Sequence, residues 1–84
     1  MLPLEERVDR VLEAFIKHPL MSAFEVTVKV KGNRTHVAPA RDHAAERGLI
    51  MPLVSVRRGP NRVTIWCITE SGIAHLVQRE GGQS

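Results

Sequence analysis

The sequence predicts an α+β domain: a three-helix core, a two-stranded β-hairpin and a short C-terminal helix. Three observations carry that expectation. Apolar residues recur at spacings of three and four between Leu4 and Ile16, the period of a helix with one buried face. Gly32-Asn33 then breaks the chain between two stretches that carry helix-start and helix-stop residues. Two runs at 53–58 and 62–68, rich in Val, Ile and Thr, flank Arg58-Gly59-Pro60-Asn61, the pattern of two strands joined by a tight turn.

The chain has 84 residues, enough for one domain. That domain is expected over 1–80, with 81–84 as a loose tail. A chain this short buries only about 60% of the surface its unfolded form exposes, so its core is small and a second copy would help to hold it.

The first helix is expected over 4–17. Leu4, Val8, Val11, Leu12, Phe15 and Ile16 share a face. Pro3 suits a first helical position, and Glu5 and Glu6 sit where the helix dipole favours anions. Lys17 and His18 fit the last turn, and Pro19 stops the helix. Residues 22–31 carry two signals. Ser22-Ala23-Phe24-Glu25 is a capping box, in which the serine caps an exposed N–H and the glutamate reaches back. Val26, Val28 and Val30 alternate with Thr27, Lys29 and Lys31, which is strand periodicity. The cap is the more specific signal, so helix is the expected state and strand the open alternative. In a helix, Val26 and Val30 face the core one turn apart.

Gly32-Asn33 suits a helix end and a turn. A further helix is expected from Thr35 to Arg47, closed by Gly48. Val37, Ala40, Arg41 and Ala44 share its inner face, and Leu49 and Ile50 anchor its exit. Pro39 is harmless in a first turn and disruptive further in, so this helix starts near Thr35 or later, or is distorted. Trp66 is expected to pack the hairpin against the helices. Thr69 is placed as the cap of the last helix, whose inward face is Ile73, Leu76 and Val77.

Charge is informative by region. Residues 1–28 carry three basic and five acidic side chains, a net of −2. Residues 29–62 carry eight basic and two acidic, a net of +6, and residues 63–84 one basic and two acidic, a net of −1. The chain total is +3. A basic patch on the turn-bearing stretch and the hairpin is the electrostatic footprint of a polyanion partner, against the plain alternative of solvated surface charge.

Three motifs now stand in register. Glu25-Val26 is followed by Gly32. Val37 and Ala44 lead to Glu46-Arg47-Gly48-Leu49-Ile50. Ile68-Thr69-Glu70-Ser71-Gly72 joins hairpin to last helix. Together, over roughly 5–78, they resemble the winged helix-turn-helix domain of small transcriptional regulators in bacteria, archaea and their phages. The resemblance implies that the helix after the turn enters the major groove of DNA while the hairpin, or wing, reaches a neighbouring groove or the backbone. It places Thr35 to Arg47 as the recognition helix, with Thr35, His36, Ala38, Pro39, Asp42 and His43 towards the bases. Arg57, Arg58, Asn61 and Arg62 become wing contacts, able to neutralise phosphates or enter a narrow minor groove. Arg34 stands where a helix N-terminus would meet a phosphate.

The outward face of that helix is unusual for the role. Thr35, Ala38, Pro39, Asp42, His43 and Glu46 offer no arginine, lysine or amide for purine edges. Ala38 or Pro39 would touch a thymine methyl, and Asp42 would accept from cytosine. Double-stranded DNA is therefore the expected partner, with a homodimer through Leu2, Leu76 and Val77 near the termini. The alternative is a winged-helix module that binds a protein, the class to which a host-directed phage effector would belong.

Other classes fit less well. His18, His36, His43 and His75 show no zinc-ligand spacing, and Cys67 stands alone in a strand as a small core residue. His43 beside Asp42 is no dyad, because neighbours on a helix point about 100° apart. Gly59-Pro60-Asn61 lacks the repeated glycines and lysine of a phosphate loop. With no tyrosine and one tryptophan, no stacking platform for single strands is expected. No enzyme, metal or cofactor is expected. A single cysteine, the absence of a long apolar run and an acidic N-terminus point to the cytoplasm and away from a membrane.

Overall fold

The computed structural model describes residues 3–30 and 34–81. Its elements run α1 (Leu4–Lys17), β1 (Met21–Ser22), α2 (Ala23–Lys29), α3 (Arg34–Glu46), β2 (Ile50–Arg58), β3 (Asn61–Ile68) and α4 (Glu70–Gly81). The strands form one antiparallel sheet in the order β1-β3-β2.

α1 has the bounds its periodicity predicts. Val8, Val11, Leu12 and Phe15 are buried, with Ala14 beside them, and Leu4 packs partly against the core. Two details differ from the sequence reading. Pro3 is the residue before the helix rather than its first position, and its carbonyl accepts from Arg7 N at 3.0 Å. Ile16 is 53% exposed, because the core covers a narrower stripe than the wheel's apolar sector.

Residues 23–29 are helical, as the cap requires. Glu25 N donates to Ser22 Oγ and Ser22 N donates to Glu25 Oε1, each at 3.2 Å. The local box outweighs the β-branched alternation, whose cost in a helix is only tenths of a kcal/mol per residue. Val26 and Val30 are both buried. The expected turn at Gly32-Asn33 lies outside the described residues.

α3 starts at Arg34 and carries Pro39 inside it. Val37, Ala40 and Ala44 are buried, and the two alanines allow α1 to lie close. The helix ends in a Schellman motif. Leu49 N donates to Ala44 O at 2.9 Å, Gly48 N donates to Ala45 O at 3.1 Å, and Gly48 takes φ +73.

The hairpin is longer than its alternation suggested, because Ile50 pairs with Ile68 and Met51 with Cys67. Arg58 pairs with Asn61 across a two-residue turn, in which Gly59 has φ +61. Glycine at that first central position is what a primed turn demands. A register shift between Pro52 and Val54 leaves Leu53 as an extra residue on the edge strand. Beyond it almost every side chain is exposed, while Val56 and Val63 stay half-buried. The hairpin projects from the helical body, and the molecule as a whole measures 48 × 27 × 21 Å. Trp66 packs partly against the core, as expected, and Cys67 is half-buried.

α4 corrects the sequence reading most. Thr69 does cap it, accepting from Gly72 N through Oγ1 at 3.1 Å. Of its three expected inward residues only Leu76 is buried; Ile73 is 45% and Val77 62% exposed. The contact stripe runs instead through Gly72, His75, Leu76 and Arg79, one helical spacing to the side. Gly81, expected to begin a tail, closes the helix, and 82–84 lie outside the described residues.

Candidate nucleic-acid interface

The side chains expected to face a partner fall in two groups. On α3, Thr35, Pro39 and Asp42 are exposed, while His36, Ala38 and His43 are half-buried. Arg34 opens the helix, and its backbone alone is described. Glu46 is exposed at the C-terminal end. No described side chain on this outward face is a free cation. Arg41, from the inner face, donates to Ala23 O at 3.3 Å and lies 3.6 Å from Asp42 Oδ1. Its stem is covered and its head is committed, as an arginine on a helix flank allows.

The second group is the hairpin tip, where Arg57, Arg58, Asn61 and Arg62 are all exposed. The register brings Arg57 directly opposite Arg62 and Arg58 opposite Asn61. Two like charges opposed across a ladder repel and weaken the pairing. Neither Arg57 nor Arg62 has an ion-pair or hydrogen-bond partner among the described residues. Arg58 differs, with Nη2 3.9 Å from Glu25 Oε1.

Glu25 thus joins three elements. The backbone amide of Ser22 holds its carboxyl below the ordinary 4.5, with the Ser22 hydroxyl and the charges of Arg58 and Lys29 adding to the effect and desolvation opposing it. Beside it, Ser22, Ala23, Phe24, Arg62, Val63, Thr64 and Trp66 line an open groove of about 350 Å³.

Most remaining arginines are tied inside the fold. Arg47 Nη1 donates to both carboxylate oxygens of Glu5 at 3.3 Å. Arg79 Nε donates to Asp9 Oδ2 at 2.9 Å, and His75 Nε2 lies 3.0 Å from Asp9 Oδ1. Arg7 Nη1 donates to His36 O at 3.0 Å. The opposed pair at the hairpin tip stands out against this background.

No family model matches the chain, and no curated protein matches it. Solved structures do. The PcaV transcriptional regulator from Streptomyces coelicolor superposes with a TM-score of 0.64 at 22% identity, over 86% of this chain and 52% of that one. A mutant of ZitR from Lactococcus lactis, in its apo form, gives a TM-score of 0.63 at 18% identity, over 95% of this chain and 58% of that one. The fold is a winged helix-turn-helix. At such identities the likeness is one of backbone, and the chain spans little more than half the length of those two proteins. In this winged helix β2 and β3 form the wing, and α3 precedes it in the chain.

Sequence reasoning missed three features of this winged helix. The strand β1 is two residues long, too short for an alternation to register. The Asp9, His75 and Arg79 cluster joins residues more than sixty positions apart and carries no local signature. Arg7 lay unremarked inside an apolar stripe. Among the described residues no group of three or more His, Cys, Asp or Glu side chains is placed to hold a metal. No helix among them is long and apolar enough to cross a membrane.

Proposed function

We propose that this chain is a DNA-binding winged helix that acts in transcriptional regulation. α3 enters the major groove, and the wing lies on the adjacent backbone or in the minor groove. One observation carries the reading: Arg57 and Arg62 are opposed at the tip of a projecting hairpin with no counter-charge among the described residues. Folding alone disfavours such a pair, and a phosphate backbone supplies the missing anion. The likeness to PcaV, a transcriptional regulator, supports the same reading. On α3 the contacts are Arg34, Thr35, His36, Ala38, Pro39, Asp42 and His43, and on the wing Arg57, Arg58, Asn61 and Arg62. Ala38 and Pro39 offer apolar surface to thymine methyls, and Asp42 an acceptor to cytosine.

Titration of the chain onto fluorescent duplex at several salt concentrations tests this. The logarithm of the binding constant should fall linearly with the logarithm of salt, by about 0.9 for each phosphate neutralised. A chain that binds no duplex, or binds without salt dependence, would sink the reading. A protein-binding winged helix would then take its place, favoured by the exposed acids Asp42 and Glu46 on α3.

A second copy completes the proposal. Leu2 lies outside the described residues and Leu76 belongs to the chain's own core, which leaves Ile73 and Val77 on α4 as the pairing face. Sedimentation should show a dimer at concentrations on the order of tens of micromolar, and the monomer mass there would rule the pairing out.

A further inference from the structure

Two departures from the rules of helix building meet where α1 packs on α3. The first is Pro39, inside α3. Its ring removes the amide that would bond to the Thr35 carbonyl, crowds that carbonyl, and loosens the turn before it. The second is Arg7, half-buried on α1 beside the fully buried Val8. Its Nη1 donates to the His36 carbonyl at 3.0 Å, a main-chain acceptor in the turn that Pro39 loosens. Its Nε is buried without a partner among the described residues.

A guanidinium placed this way is a poor device for stability. An orphaned buried donor is costly, and an apolar side chain of similar volume in such a place is often neutral or better. What the bond does supply is geometry. The far end of α3 is fixed to α1 by Arg47 on Glu5, and its middle to α2 by Arg41 on the Ala23 carbonyl. Among the described side chains of α3 before Pro39, Val37 alone is buried. That half of the helix also holds Thr35, His36 and Ala38. Local rule-breaking concentrates where function needs it.

We infer that Arg7 is a positioning residue for DNA recognition: its bond to the His36 carbonyl sets the angle at which the segment before Pro39 is presented to the bases. This rests on the DNA-binding reading above. The wing is untouched by it, so phosphate binding and base discrimination should separate.

The experiment uses the whole chain and two probes, a duplex selected from a random pool and a scrambled duplex of the same length. Arg7→Met keeps the apolar stem and removes the donor. It should cut the preference for the selected duplex about tenfold, the size of one good base contact. Binding to the scrambled duplex and the salt slope should stay as in the parent. Pro39→Ala provides the second arm: it restores the missing amide, and because it also removes a proposed base contact, its own discrimination is the reference for the double variant. In the Pro39→Ala background, Arg7→Met should cost far less discrimination, which a purely structural arginine would not show. Amide exchange over 35–40 in folded Arg7→Met should speed up relative to 41–46. Unchanged discrimination, an equal loss on both duplexes, or the same loss with and without Pro39 would overturn the inference and leave the DNA reading standing. A parent chain that binds neither duplex would overturn both.

Discussion

Glu25 shows how one side chain can serve a helix start and a wing together. Its carboxylate closes the capping box on Ser22 and faces Arg58 at the tip of the hairpin. Its pKa lies below the ordinary 4.5, chiefly through the Ser22 amide. A carboxylate with a depressed folded-state pKa contributes stability that is complete above its unfolded value and is lost as pH falls through the folded one. The stability difference between the parent and Glu25→Gln should therefore be constant above about pH 5 and shrink as pH drops below the ordinary carboxylate value. Urea melts across that range check it, and a gap that is independent of pH down to full carboxylate protonation would show that the charge does nothing. The other carboxylates are common to both proteins and cancel.

Between elements, the decisive joint is where the exit of α3 meets the start of α4. Thr69 Oγ1 donates to Gly48 O at 2.6 Å, and Thr69 N donates to Leu49 O at 3.0 Å. The two sequence motifs that pointed to this fold, Arg47-Gly48-Leu49-Ile50 and Thr69-Glu70-Ser71-Gly72, are thus bonded to one another. Gly72 is required there for space. A Cβ on it would collide with the Leu49 carbonyl and lie 2.7 Å from Ile68 Cγ1, and the first of these is backbone that cannot swing aside. Gly72→Ala should cost about 3 kcal/mol, the upper part of the usual range for overpacking, while Ser71→Ala, on an exposed neighbour, should change little. Denaturant midpoints decide, and a tolerated alanine would mean that α4 docks less closely than the bonds of Thr69 imply. The joint also shows what a sequence can disclose. Helix bounds were legible from Pro19, Ser22, Gly48 and Thr69, because caps and stops act within a few residues. The faces of α1 and α4 were less so: Ile16, Ile73 and Val77 belong to apolar sectors, but which part of a sector is covered depends on a neighbour's position. Of the candidate interface, the hairpin arginines were legible as a cluster. That Arg58 turns to Glu25 while Arg57 opposes Arg62 follows from register and from α2, neither of which a charge count contains.

For the whole molecule, the arginines divide between holding and presenting. Arg7, Arg41, Arg47 and Arg79 bind α1, α2, α3 and α4 to one another, and because Arg41 and Arg47 belong to the middle segment, its basic excess overstates what is available to a polyanion. At the tip the division is finer. Arg57 and Arg62 have no counter-charge among the described residues, and Arg58 has a long, exposed contact of the kind worth little in water. If the wing is the part that meets phosphate, the salt dependence of duplex binding should report this division. Replacing Arg57 and Arg62 together with alanine should reduce the log–log slope by about 1.8, two phosphates at roughly 0.9 each. Arg58→Ala should reduce it by less than one such step, because the parent must release Glu25 before Arg58 can engage. Glu25→Gln should move the other way, strengthening binding at low salt by freeing Arg58 and removing a nearby negative charge. Equal reductions from all three arginines would mean that the contact to Glu25 has no hold in solution. No reduction from Arg57 and Arg62 would move the contact surface off the wing and onto α3.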